Sequence, residues 1–405
     1  MRKLLGALLL VLFFLTGCGA ASKSADRAEV CEANMAADID ADGAMYSMER
    51  SLEDGTEITV EIPLICVSFS QYSDKLVAED GTKLFTASYY VPEFMTDDAE
   101  KDLWLASCVN DAVDATLTDL TWTRNLARDE YPGREEGMFY AYSYYSNVNT
   151  ERMDNEIVSV LQINSTYSGG AHPNYAQLAY NLDIEASRQL GLADVIEPGG
   201  EERLLERVLE ELQIRFGDFE TLGLFPDYRQ VVEDCFDGLE LTNNWYFGDN
   251  GLNIYFNCYE IAPYAAGIIN VELDYDELTG VLRPDYFPGS AGAGEGSAIL
   301  LNSPEGRRTL SVPSEGEVFY IGTDRVIYDV KIQRVTGWLA DDMPIIGAMV
   351  FAANRLTREE AIVLGDGGIS GDAMYIVSYK DGTGLRRTVA VGPGIIREII
   401  AKTAE

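Results

Sequence analysis

Residues 156–183 read EIVSVLQINSTYSGGAHPNYAQLAYNLD, and the reading of the fold turns on them. Two runs, one ending at Tyr167 and one starting at Tyr175, alternate apolar and polar residues and are rich in β-branched and aromatic side chains. That is the pattern of half-buried strands. Ser168 to Asn174 then joins two neighbouring antiparallel strands. Gly169 and Gly170 allow positive φ without steric cost, which so short a connection needs. Pro173 fixes the exit and biases His172 towards an extended conformation. His172 is also the only histidine among 405 residues.

The pattern extends in both directions. Upstream, EITVEIPLICVSF, KLFTASYYVPEF and GMFYAYSYYSNVN read as strands. Between the second and third lies TDDAEKDLWLASCVNDAVDATLTDL, which reads as a helix. Thr96 is placed to cap it, Asp97 and Asp98 suit its positive end, and Leu103, Ala106, Val109, Val113, Leu117 and Leu120 fall on one face. Downstream, GEERLLERVLEELQIRF carries an apolar stripe of Leu204, Leu205, Val208, Leu209 and Leu212, and DYRQVVEDCF continues as helix. GLNIYFNCYEIAPYAAGIINVELDYDEL returns to strand pattern, broken at Ala262-Pro263-Tyr264.

These runs predict an α+β fold. A two-lobed antiparallel sheet-plus-helix domain has an N-terminal lobe over residues 57–164 and a second lobe over 165–288. A Gly/Ala/Ser linker at 289–298 follows, too poor in apolar residues to pack. Short β-rich runs over 299–405, separated by Gly- and Asp-rich turns, predict a small all-β module, a sandwich or a barrel.

The chain opens MRKLLGALLLVLFFLTGCGA, a positive start followed by a twelve-residue apolar run. That run is shorter than the roughly 20 residues of a membrane span. Leu15-Thr16-Gly17-Cys18 resembles the lipobox of bacterial lipoproteins. The resemblance implies a signal peptide over 1–17, lipid attachment at Cys18, and a chain held at the outer face of the bacterial cell membrane. Residues 18–56 read as an acidic tether. Within it Asp38, Asp40, Asp42 and Glu49 fit the ligand spacing of a calcium loop, with Gly43 at the turn. A solvated linker that happens to match is the plainer account, because little helix could follow before the strand at Glu57. Beyond Ca2+ at that loop, no cofactor is expected.

Residues 19–289 hold 16 basic and 52 acidic side chains, against 12 and 15 in residues 290–405. Such a field repels nucleic acid and attracts cationic partners. Five cysteines follow Cys18, with no C-x-x-C spacing among them, so neither a redox motif nor a zinc knuckle is indicated. With one histidine and no G-x-S-x-G elbow, a Ser-His-Asp triad finds no support. No phosphate-binding glycine motif is present either.

Tyr167-Ser-Gly-Gly-Ala-His-Pro173, Asn181-Leu-Asp183, Gly191-Leu-Ala-Asp194 and the later Tyr259-Glu-Ile-Ala-Pro-Tyr-Ala-Ala-Gly267 together resemble the extracellular domain of RsiV, a membrane-bound anti-sigma factor. The same domain pair occurs beside the catalytic domain of the peptidoglycan deacetylase PdaC. The resemblance spans about residues 57–288 and implies an α+β domain that acts by binding; in RsiV the ligand is lysozyme. The chain lacks the sigma-binding segment, the transmembrane helix and the His-rich deacetylase site, so neither signalling nor deacetylation carries over. The expectation is a non-catalytic binding protein of the cell envelope, with a cationic protein such as lysozyme or a cell-wall glycan as partner. Contacts are expected at Ser168, Gly169, Gly170, His172, Glu260 and Tyr264. The alternatives are a peptidoglycan-acting enzyme using an Asp/Glu pair, or a spacer presenting the C-terminal module.

Overall fold

The computed structural model describes residues 47–51, 57–61, 64–134, 139–154, 156–216, 223–236, 244–288, 299–301, 307–312, 318–338, 344–365, 375–381, 385–392 and 395–398. Cys18, Asp38, Asp40, Asp42 and the linker at 289–298 lie outside the described residues. Glu49 falls in the first strand, opposite Thr59.

In chain order the elements begin with β1 (Ser47–Ser51), β2 (Glu57–Glu61), β3 (Ile65–Val77), β4 (Lys83–Thr96) and the long helix α1 (Ala99–Glu130). Next come β5 (Tyr142–Met153), β6 (Ile157–Tyr167), β7 (Asn174–Asp183) and β8 (Arg188–Gln189). Three helices follow, α2 (Leu192–Val195), α3 (Glu201–Phe216) and α4 (Tyr228–Phe236), and then β9 (Trp245–Phe247), β10 (Gly251–Phe256) and β11 (Ile269–Asp274). The C-terminal strands are β12 (Ile299–Leu301), β13 (Arg308–Ser311), β14 (Val318–Thr323), β15 (Ile327–Trp338), β16 (Pro344–Leu356), β17 (Glu360–Gly365), β18 (Tyr375–Lys380), β19 (Arg386–Gly392) and β20 (Ile395–Glu398).

The fold is α+β, as the sequence predicts, and the described strands do not close into a barrel. Eleven strands form one sheet in the order β20-β19-β18-β15-β16-β3-β4-β5-β6-β7-β8. One neighbour pair in it, β4 with β5, is parallel. Parallel neighbours need a crossover, and α1 supplies it. Strands from residues 299–405 enter this same sheet, because β16 pairs with β3. The buried Asn354 side chain reinforces the join by accepting from the Ile65 amide at 2.9 Å. β12, β14, β17 and β13 form a second sheet. It shares a core with the first, in which Leu310, Ile321 and Ile362 meet Ile332, Val377 and Val389 together with Leu64 and Cys66.

Helix α1 differs from the expected helix in its cap and in its face. Asp98, and not Thr96, caps it, accepting from the amides of Glu100 and Lys101. The Thr96 hydroxyl instead bonds the main chain of Asp98. The buried positions are Leu105, Val109, Ala112, Thr116, Leu120, Thr123 and Ala127, whereas Leu103 is 74% exposed. Small side chains dominate this stripe, so the helix approaches the sheet closely. Gln162 of β6 donates to Thr116 at 2.7 Å and to Ser146 of β5 at 2.8 Å across that contact.

The segment between Leu190 and Phe287 builds a separate core. The expected stripe of α3 buries Leu204, Val208, Leu209 and Leu212 against Trp245, Phe247, Ile254 and Val271 of the three-stranded sheet β11-β10-β9. That small sheet docks on the large one through Tyr246 and Tyr255, which pack against Leu161 and Ala179. Two asparagine side chains stand in for strand partners at the seam. Asn181 donates to the Trp245 carbonyl and accepts from the Phe247 amide; Asn257 accepts from the Gln177 amide and donates to its carbonyl.

Candidate functional site

The β6–β7 hairpin carries the loop that the sequence singles out. Its register runs to Thr166 opposite Asn174, which leaves Ser168 to Pro173 as the connection. Gly169 and Gly170 take φ of 90° and 103°, as the antiparallel reading requires. A Cβ on Gly169 would also stand 3.2 Å from the Tyr142 hydroxyl. Gly169 and Gly170 are exposed at the tip, while Ser168, His172 and Pro173 are half-buried. The loop is tied to itself by Tyr167, whose hydroxyl donates to the Gly170 carbonyl at 3.2 Å.

A second segment meets this loop. After β10 the chain turns through Asn257 to Ala262, passes Pro263 and makes a short 3-10 turn over Tyr264–Ala266 that ends at Gly267, φ 72°. The Tyr264 ring lies flat against His172, with centroids 3.6 Å apart and planes 16° apart. Tyr259 adds its hydroxyl 3.3 Å from His172 Nε2. Because His172 Nδ1 lies 2.9 Å from the carbonyl oxygen of Pro173, which can only accept, the proton belongs on Nδ1. In the neutral imidazole Nε2 is then the acceptor for the Tyr259 hydroxyl. Tyr259 itself has φ 72°, an uncommon conformation for a residue with a Cβ, and is 56% exposed. Tyr175 completes the patch, its ring 6.1 Å from that of Tyr264.

The expected site residues thus separate into three groups. His172 and Tyr264, 92 positions apart in the chain, stack face to face. Gly169 and Gly170 shape the loop that presents His172. Glu260 turns back into its own segment, accepting from the Asn257 amide at 2.8 Å and from Asn244 at 3.2 Å, so it builds the turn and does not join the rings. Two other residues of the quoted motifs also serve the fold: Asn181 docks the small sheet, and Asp194 accepts from the Gly191 amide at 2.8 Å to cap α2. Tyr259 and Tyr175 were absent from the expected set. Tyr259 heads the YEIAPYAAG run and Tyr175 is the first aromatic after Pro173, so their neighbourhood was visible although their roles were not.

Beside the rings the small sheet stops covering the large one, and an open groove remains. Ile163, Tyr175, Gln177, Cys258, Tyr264 and the stretch Ala265 to Ile268 line it. Asn147, Ile163 and Gln177 stand directly opposite one another on β5, β6 and β7, so their side chains share a face. Gln177 is 6% exposed, yet its Nε2 has no hydrogen-bond partner among the described residues, and neither has Oδ1 of Asn147. Desolvation, and after it the neighbouring Tyr175, push the Tyr264 hydroxyl above its ordinary range. It therefore keeps its proton at neutral pH. The arrangement can stack on a ligand face and exchange hydrogen bonds with it. No group of three His, Cys, Asp or Glu side chains placed to hold a metal ion occurs among the described residues.

Residues 193–276 match a family model described as a protein of unknown function, DUF3298. The match takes in Tyr259, Glu260 and Tyr264 and stops short of the His172 hairpin. No curated protein matches. Among solved structures, the chain is similar to a DUF3298 family member from Bacteroides fragilis, at 17% identity and TM-score 0.40, over 54% of this chain and 93% of that one. It is also similar to a DUF3298 family protein from Pseudomonas aeruginosa, at 17% identity and TM-score 0.36, over 55% and 96%.

Proposed function

We propose that this is a lipid-anchored, extracytoplasmic binding protein of the bacterial cell envelope that captures its ligand without chemical change. The ligand is a cell-wall glycan or a cationic protein that acts on cell wall, lysozyme being the type that the RsiV resemblance implies. One observation carries the reading: His172, Tyr259, Tyr264 and Tyr175, from two separate segments, converge in a partly exposed aromatic patch beside an open groove. Tyrosines presented in this way supply contact area at small entropic cost. The 52 acidic side chains of residues 19–289 would steer a cationic partner towards it. The lipid anchor rests on the Leu15-Thr16-Gly17-Cys18 signature alone.

The test measures binding of the mature chain to animal-type lysozyme and to insoluble cell wall across a salt series, beside an unrelated protein of similar positive charge. Binding to lysozyme or cell wall that persists near 0.15 M salt, where long-range attraction is largely screened, and that is lost in His172→Ala/Tyr264→Ala, supports the reading. Equal, salt-erased binding to both cationic proteins, with none to cell wall, would sink it. Release of sugar or acetate from cell wall by the purified chain would favour an enzyme instead.

A further inference from the structure

The groove beside the aromatic patch has a chemical character of its own, and it narrows the ligand. Ile163 forms an apolar point between two amides, Gln177 on one side and Asn147 on the other, in a single cross-strand row. The row above it runs Tyr145, Ser165, Tyr175, and both tyrosines are exposed, at 49% and 41%. Tyr175 and Tyr264 line the groove as aromatic walls beside Ile163 and Gln177, and Asn147 continues the row on the far side of Ile163.

Each amide is incomplete in a complementary sense. Gln177 Nε2 is a donor without an acceptor, and Asn147 Oδ1 is an acceptor without a donor. A buried polar group left unpaired is costly, and a ligand that supplied both missing partners would remove that cost. The main chain of Gln177 is fully engaged with Asn257, which fixes where its side chain starts.

We infer that the groove binds an N-acetylhexosamine ring. The acetamido carbonyl accepts from Gln177 Nε2, its N–H donates to Asn147 Oδ1, and its methyl group rests on Ile163. The apolar face of the sugar ring stacks on Tyr175 or Tyr264, as aromatic walls with a polar rim favour. This deepens the binding function proposed above and rests on it, and it chooses glycan over protein as the occupant of the groove.

Calorimetric titration of the full chain in detergent, with tri-N-acetylchitotriose, cellotriose and animal-type lysozyme in separate runs, tests both levels. The expected result is saturable binding of tri-N-acetylchitotriose, at least tenfold weaker binding of cellotriose, and a loss of tenfold or more in Tyr175→Ala and in Gln177→Leu. Equal affinity for the two sugars overturns acetamido recognition. Full affinity in folded Tyr175→Ala and Gln177→Leu overturns the location. Lysozyme binding with no sugar binding overturns the sugar while leaving the broader binding function, and silence from all three ligands, with cell wall also unbound, removes both. The wild-type comparison of sugars decides the question even where a variant fails to fold.

Discussion

Lys331 Nζ donates at 2.7 Å to Asp249 Oδ1 and at 2.6 Å to the carbonyl oxygen of Glu151, so one ammonium group joins β15 to the β9–β10 turn and to β5. Arg386 of β19 reaches the same Asp249 at 2.8 Å and also pairs with Asp329. Lys380 stands 3.8 Å from Asp329. Strands from the C-terminal third are thus fastened by charge to the segment that carries Tyr259 and Tyr264.

Removing one member of this network should be more damaging than removing two. Lys331 is 8% exposed, so Lys331→Met removes one of the two cations on the Asp249 carboxylate, leaving Arg386 alone with it, and is expected to lower stability by about 3 kcal/mol. Lys331→Met/Asp249→Asn should recover part of that loss. Guanidinium unfolding of the single and double variants measures both; a single variant within about 0.5 kcal/mol of wild type would show the pair to be idle.

Acid should loosen the same network at a predictable point. Burial pushes the Asp329 carboxyl up, but Lys331, Arg386 and Lys380 together overcome it and hold it at about 2. Its folded-state value is therefore depressed, so its contribution is full above the unfolded value near 3.9 and is lost as pH falls through 2. Unfolding free energies measured from pH 5 to pH 2 should fall more steeply for wild type than for Asp329→Asn. Parallel slopes would contradict the assignment.

Helix α1 offers a direct comparison of two leucines. Leu105 is fully buried, and Leu105→Ala should cost about 2–5 kcal/mol. Leu103→Ala, two positions away on the exposed side, should stay within about 0.5 kcal/mol. Asp98→Ala, which deletes the cap, should lie between them at about 1 kcal/mol. Thermal unfolding of the three variants gives the order.

Two glycines should resist substitution for different reasons. A Cβ on Gly251 would lie 1.9 Å from the Leu273 carbonyl oxygen across β10–β11, so Gly251→Ala must push two paired strands apart. Its expected cost is about 3 kcal/mol. At Gly170 the space is open but φ is 103°, so Gly170→Ala suffers only backbone strain, about 1–2 kcal/mol. Urea unfolding of the pair should reproduce that ranking.

Local pattern made much of this fold legible. Alternation around Ser168–Pro173 predicted the β6–β7 hairpin, and the paired glycines predicted its positive φ. The stripe of α3 was readable because leucine and valine mark it strongly. The stripe of α1 differs from the apolar pattern because its buried positions include Ala112, Thr116, Thr123 and Ala127, whose burial reflects close approach to the sheet and not hydrophobicity. Pairing of β16 with β3 was invisible for a different reason. Strand pattern says which residues face a core, but not which distant strand completes the edge. The same holds for the site: His172 and Tyr264 were each conspicuous in sequence, while the stack between them depends on how the small sheet docks.

The β3–β16 pairing also sets an order of events in the making of the molecule. Ile65 and Asn354, which bond across that junction, are 289 positions apart in the chain. During synthesis one edge of β3 therefore stays bare until nearly nine-tenths of the polypeptide has emerged. A bare edge, here at Cys66 to Ser68, is a template for unwanted pairing, and contacts so distant form slowly. The nascent chain is accordingly one that a holding chaperone should recognise through β3. A polypeptide ended before Pro344 would keep that edge exposed for life and would be expected to aggregate rather than fold as a shorter protein.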